Sequence, residues 1–143
     1  MAVRKAGSKM NPDRFGRMGE ESAASYLCGK GFRILGRNVR SGHLETDIIA
    51  ANDQYIVFAE VKTRRAFPAS SHPFGRPASA VTVKKQDRLI AAAKDYLQKH
   101  RESLAGLQPR IDVIEVYVSP LTEEYKVLHI EHLPGAVRRR TST

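Results

Sequence analysis

Asp47, then twelve residues, then Glu60-Val61-Lys62 is the pattern in this chain best suited to chemistry. Ile48-Ile49-Ala50 follows the aspartate, and Tyr55-Ile56-Val57-Phe58-Ala59 leads into the glutamate. Runs rich in Ile, Val, Tyr and Phe are strand material. Ionised groups inside such runs are costly unless they are paired or bind a metal. Two carboxylates brought together can hold a hard divalent cation, Mg²⁺ or Mn²⁺, which takes oxygen ligands and keeps several waters. Such a cation activates water and polarises a phosphoryl oxygen. A lysine two residues on can orient or deprotonate the attacking water, or stabilise developing negative charge. That combination is the chemistry of phosphodiester hydrolysis. The same three charges also fit a structural cluster in which Lys62 neutralises the two acids.

Whether the residues meet depends on the hairpin that carries them. Asn52-Asp53 is turn chemistry, because both residues tolerate a left-handed backbone. A turn centred there places Asp47 opposite Phe58, with Glu60 as its diagonal neighbour. Alternation along the strand puts Glu60 and Lys62 on the same face. A slip of one residue would send Asp47 to the other face.

The flanking residues extend the pattern. Gly16-Arg17-Met18-Gly19-Glu20-Glu21-Ser22-Ala23, Tyr26-Leu27, Gly31-Phe32, Ile34-Leu35 and Asn38 are followed by Glu45-Thr46-Asp47-Ile48-Ile49-Ala50. Then come Val57-Phe58-Ala59-Glu60-Val61-Lys62-Thr63-Arg64, Ala80-Val81, Lys85, Arg88-Leu89, Ala92-Ala93, Tyr96-Leu97 and Arg110-Ile111-Asp112-Val113-Ile114. This ordered series, over roughly residues 14–116, resembles the YraN-type family of bacterial proteins, and the series is far more specific than any one motif. That family is similar to Holliday-junction resolvases and restriction endonucleases. The resemblance implies a PD-(D/E)xK nuclease core with Asp47, Glu60 and Lys62 as its site. It adds Glu20 from the first helix as a third metal-side acid. Leu44 stands where the family usually has glycine, and Thr46 where an aliphatic residue is usual.

A chain of 143 residues makes one domain with room for a real core. Its net charge of +9 suits a polyanionic partner. Six of the positive charges lie at the ends, in Arg4, Lys5, Lys9 and Arg138-Arg139-Arg140, leaving +3 between them. Basic arms of this kind add sequence-independent phosphate affinity. Nucleic acid, DNA ahead of RNA, is favoured over an anionic membrane because neither end carries a basic amphipathic helix. No apolar run approaches a membrane span and no secretion signal opens the chain. The single cysteine, Cys28, excludes an internal disulfide and suits a reducing cytoplasm. Its helical setting predicts burial.

The expected elements follow from periodicity. Residues 1–10 read as a disordered basic tail, 11–133 as a single nuclease-like domain, and 134–143 as a basic C-terminal tail. Asn11-Pro12-Asp13 starts a helix whose stripe is Phe15, Met18, Gly19, Ser22, Ala23, Tyr26 and Leu27, and Gly29-Lys30-Gly31 ends it. Strands are expected at 32–40, 44–50, 54–64, 110–118 and 125–131. A second helix is expected over about 82–101, with Leu89, Ala92, Ala93, Tyr96 and Leu97 as its stripe. The fold expected is α/β, a mixed four- to five-stranded sheet flanked by helices in the order αβββαβ, like a restriction-endonuclease core.

Arg64 and Arg65, at the mouth of a Pro- and Ser-rich loop at 65–79, are candidate phosphate contacts. Lys84, Lys85 and Arg88 at the start of the second helix are further nucleic-acid candidates, although charged helix residues are usually just the wet face. Asp112 is expected to pair with Arg110. His129-x-x-His132 lacks the further ligands of a zinc site. There is no glycine-rich phosphate loop and no G-x-S-x-G motif.

Three functions compete. The first is a metal-dependent endonuclease acting on DNA, including branched or otherwise structured DNA. The second is a non-catalytic nucleic-acid-binding accessory on the same fold. The third is an interaction protein with a structural acid–lysine cluster. Resolvase-like folds often work in pairs, so a homodimer is compatible with the first.

Overall fold

The computed structural model describes residues 12–67, 70–75, 81–119 and 126–138. The expected basic tail at 1–10 lies outside these residues, as do Arg139 and Arg140. Helix α1 (Pro12–Gly29) buries Gly19, Ala23, Ala24 and Leu27, with Phe15, Met18 and Tyr26 packed beside them. It ends where Gly31 takes a φ of +92°, which lets the Phe32 N–H reach the Leu27 carbonyl at 3.0 Å. Cys28 is exposed, contrary to expectation. One residue beyond Leu27, it lies about 100° around the helix from that buried side chain.

Strands β1 (Arg33–Ser41), β2 (Leu44–Ala51) and β3 (Tyr55–Arg65) form an antiparallel meander. Helix α2 (Val83–Lys99) then crosses over to β4 (Gln108–Val118), which lies parallel to β3. Parallel neighbours require such a crossover. Strand β5 (Val127–Val137) returns antiparallel to β4, giving one sheet in the order β1-β2-β3-β4-β5. The element order αβββαββ realises the expected core with its fifth strand present.

Alternation divides the strands between two cores. Ile48, Ala50, Val57, Ala59, Ile114 and Val116 face α1. Ile49, Ala51, Ile56, Phe58, Ile111 and Val113 form the second core with Leu89 and Ala93 of α2. Fully burying one such Ile or Leu side chain contributes about 1.5–3 kcal/mol. Helix α2 is capped by Thr82, whose Oγ1 accepts the Lys85 N–H at 3.2 Å.

Two boundaries are corrected. Strand β5 runs to Val137, four residues into the segment expected to be tail, and Val137 is buried. Pro134 and Gly135 look like a strand stop, but proline is tolerated on an edge strand. Gly135, at φ +60°, turns its N–H to Asp112 Oδ1 at 2.9 Å. The β2–β3 hairpin is offset by two residues from the expected register, pairing Ile49 with Phe58 and Ala51 with Ile56. Asn52 Oδ1 accepts the N–H groups of Gln54 (2.9 Å) and Tyr55 (2.7 Å), so the loop tip is Asp53-Gln54. A two-residue offset keeps every side chain on its expected face.

Candidate active site

The site lies where β2 and β3 separate. Their backbone pairing ends at Ile48 and Ala59. One step beyond, the same register sets Asp47 across from Glu60, opposite rather than diagonal. Both share the α2 side of the sheet with Ile49 and Phe58, and Lys62 follows Glu60 on that side.

Asp47 Oδ2 accepts the Val61 N–H at 2.8 Å, so a carboxylate satisfies a main-chain donor past the end of the ladder. Burial pushes the Asp47 carboxyl up to about 7, and the charge of Glu60 adds to it. The Val61 N–H opposes this, while the charge of Glu20 and a hydrogen bond with Glu60 raise it further. Two acids forced together repel, and one retains its proton.

Glu60 is buried, and its Oε1 pairs with Lys85 Nζ at 3.2 Å. Lys62 is half-buried and forms no ion pair or hydrogen bond among the described residues. Its register neighbour on β4 is Glu115, whose carboxylate is taken by Arg64 and by the Tyr117 hydroxyl at 3.3 Å. Among the described residues the cation that pairs with an acid of this site is therefore Lys85 of α2, not Lys62 as the structural-cluster reading expects.

Glu20 reaches the site from α1. Gly19 lies so close to Thr63 that an added Cβ would sit 1.8 Å from its Oγ1. This contact fixes the helix over β3. Asn38 Nδ2 donates to Glu20 Oε2 at 3.2 Å. Asn38 lies between the β1–β2 pairs Arg37–Ile48 and Val39–Thr46, hence beside Asp47, and has a φ of +50°. Asparagine is among the few residues that adopt this conformation readily. Its role was missed in the sequence, where an asparagine inside a strand was the available signal.

The phosphate-contact candidates separate into two groups. Arg64 is bound to buried Glu115 and Lys85 to Glu60. Arg65, Lys84 and Arg88 are exposed.

Elsewhere, Asp112 is fully buried and accepts from Arg110 Nε and Nη2, both at 2.9 Å, as expected. His132 Nε2 approaches it at 2.7 Å, and His132 Nδ1 meets the Tyr26 hydroxyl at 3.1 Å. His129 pairs with Glu131 and stacks on Phe74. The two histidines of the His-x-x-His pattern thus have separate partners.

Among the described residues no three His, Cys, Asp or Glu side chains converge as a ready metal cluster. The fit to a divalent cation rests on the Asp47–Glu60 pair, with Glu20 acting on it through charge. One or two carboxylates plus water and substrate oxygens suffice for Mg²⁺, and a cation between repelling acids turns their repulsion into shared attraction. The donor set therefore fits Mg²⁺ or Mn²⁺.

A five-stranded mixed sheet with this helix order is a restriction-endonuclease-like α/β core. Residues 19–116 match the family described as Uncharacterised protein family UPF0102, the YraN family, and the chain belongs to it. It is 43% identical over 121 residues to a UPF0102 protein of Syntrophotalea carbinolica, covering 85% of this chain and 89% of that one. A Caldanaerobacter subterraneus relative, UPF0102 protein TTE1452, is 42% identical over 124 residues, covering 85% and 95%. One from Dictyoglomus turgidum is 35% identical over 127 residues, covering 89% and 99%. Among the described residues no helix is long and apolar enough to cross a membrane.

Proposed function

We propose that this protein is a metal-dependent endonuclease that hydrolyses phosphodiester bonds in DNA, including branched or structured DNA. The observation that carries the reading is the pairing of half-buried Asp47 with buried Glu60, where burial first and the charge of Glu60 second lift Asp47 to about 7. A fold gains nothing in stability from forcing two acids together, so a functional use is the better account.

Asp47 and Glu60 would hold the cation, with Glu20 adding negative charge behind them. A bound Mg²⁺ or Mn²⁺ would supply Lewis-acid polarisation of the phosphate and a water of lowered pKa. Val61 N–H orients Asp47 through the bond to Oδ2. Lys62 Nζ, unclaimed by an acid among the described residues, can donate to a phosphate oxygen or hold the attacking water. Water adds to phosphorus, one P–O ester bond breaks, and the departing oxygen takes a proton. Arg65, Lys84 and Arg88 offer exposed charge for the backbone. The net charge of +9 gives the same partner long-range attraction.

The test is cleavage of linear, flapped and four-way DNA with Mg²⁺ and with Mn²⁺, using Asp47→Asn as control. Cutting by wild type that is lost on chelation and in the variant supports the reading. DNA binding without cleavage of any substrate would instead favour the non-catalytic accessory function.

A further inference from the structure

Glu60 is the less exposed partner in its ion pair, at 11% against 40% for the Lys85 side chain. The ammonium occupies Oε1 of the carboxylate that the proposed site would offer to a cation. Its backbone is fixed. Thr82 caps the Lys85 N–H, and Gln86 Nε2 donates to the Val81 carbonyl at 2.8 Å. The side chain above that anchored turn is a flexible four-carbon stem. Lys62, the neutralising cation of the alternative structural-cluster reading, pairs with neither acid among the described residues.

From this geometry we infer that Lys85 is a tethered counter-cation, which holds Glu60 in the metal-free protein and which a divalent cation must displace to bind. The inference rests on the metal-binding reading above. It assigns Lys85 a role toward Glu60 that precedes any contact with DNA. A ligand that binds only after an internal contact opens loses affinity in proportion to the strength of that contact. Removing the lysine should therefore tighten metal binding, the opposite of what removing a supporting residue would do. Displacement also sets the ammonium free on the exposed side.

Two measurements test this. Calorimetric titration with Mn²⁺ compares wild type, Lys85→Met, and Lys94→Met, an exposed lysine further along the same helix. Lys85→Met should bind Mn²⁺ about tenfold more tightly than wild type, as expected for a half-exposed charged contact. In chelator it should melt at a lower temperature. Lys94→Met should show neither change. The second measurement needs no variant: amine-reactive labelling of wild type, read by mass spectrometry, should rise at Lys85 when Mn²⁺ is added. Equal or weaker Mn²⁺ binding by Lys85→Met, or labelling unchanged by Mn²⁺ that does bind, overturns the tethered cation and leaves the metal site standing. Failure of wild type and Lys85→Met alike to bind Mn²⁺ overturns both readings.

Discussion

Asp47 and Glu60 face each other one step past the last backbone pair of the β2–β3 hairpin, and among the described residues only Glu60 is paired with a lysine. Glu60 has Lys85. Asp47 has the Val61 N–H and the charges of two other acids. This asymmetry assigns the site's proton to Asp47.

The first prediction is a pH effect. Asp47 is raised from 3.8 to about 7, so between those values the folded protein binds more protons than the unfolded chain. Stability contributed by the protonated group is complete below the lower value and is lost as pH rises towards the upper one. The loss is on the order of a few kcal/mol. Urea melts in chelator should show wild type losing stability from about pH 4 to pH 7 relative to Asp47→Asn. Parallel curves for the two proteins would remove Asp47 as the titrating group.

Lys62 gives the cleanest separation of catalysis from stability. Among the described residues it has no acid to release, so Lys62→Met should melt within about 0.5 kcal/mol of wild type. Cleavage should fall by about a thousandfold or more, the loss of several kcal/mol of transition-state stabilisation. Thermal melts beside single-turnover cleavage test both halves. A stable variant cutting at the wild-type rate would exclude the catalytic role.

Arg64 and Arg65 should behave as opposites although they are adjacent. Arg64→Ala leaves buried Glu115 without its cation and should cost about 3 kcal/mol, discounted for the partial exposure of Arg64. Arg65→Ala should leave the melt unchanged and weaken DNA binding, flattening the log–log salt dependence by about 0.9 if one phosphate contact is lost. The reverse pattern would show that Arg64, not Arg65, meets the backbone.

Asp112 is predicted to be structural. Burial alone would raise its carboxyl, but hydrogen bonds from His132, Arg110 and the Gly135 N–H hold it below the ordinary value. Its stabilisation is present above the unfolded pKa and is lost as pH falls through the lower folded one. Asp112→Ala should cost about 3–5 kcal/mol by leaving Arg110 and His132 without their acceptor. Refolded protein should retain metal affinity, measured by calorimetry. Loss of metal binding in folded Asp112→Ala would contradict the separation of the two sites.

The sequence carried the acid pair because parity along a strand is robust. Misplacing the turn by two residues, through the unforeseen Asn52 side-chain bonds, still set Asp47 and Glu60 on one face. The helical stripe of α1 was legible for the same periodic reason. Contacts set by tertiary placement were not. Nothing local says that Lys85 reaches Glu60, that Arg64 turns to Glu115, or that Gly135 re-aims an N–H at Asp112. The helical setting of Cys28 does not by itself fix which way its side chain points, and it points outward.

The crossover has a consequence for the order in which the site is built. Twenty-five residues separate Glu60 from Lys85 in the chain. At a synthesis rate of about 5–20 residues per second, the hairpin leaves the ribosome about 1–5 s before the lysine. Strands pair in about microseconds once free, and α1 with three strands supplies a surface on which they can do so. The nascent acid pair thus meets the ions of its surroundings before its own lysine has emerged.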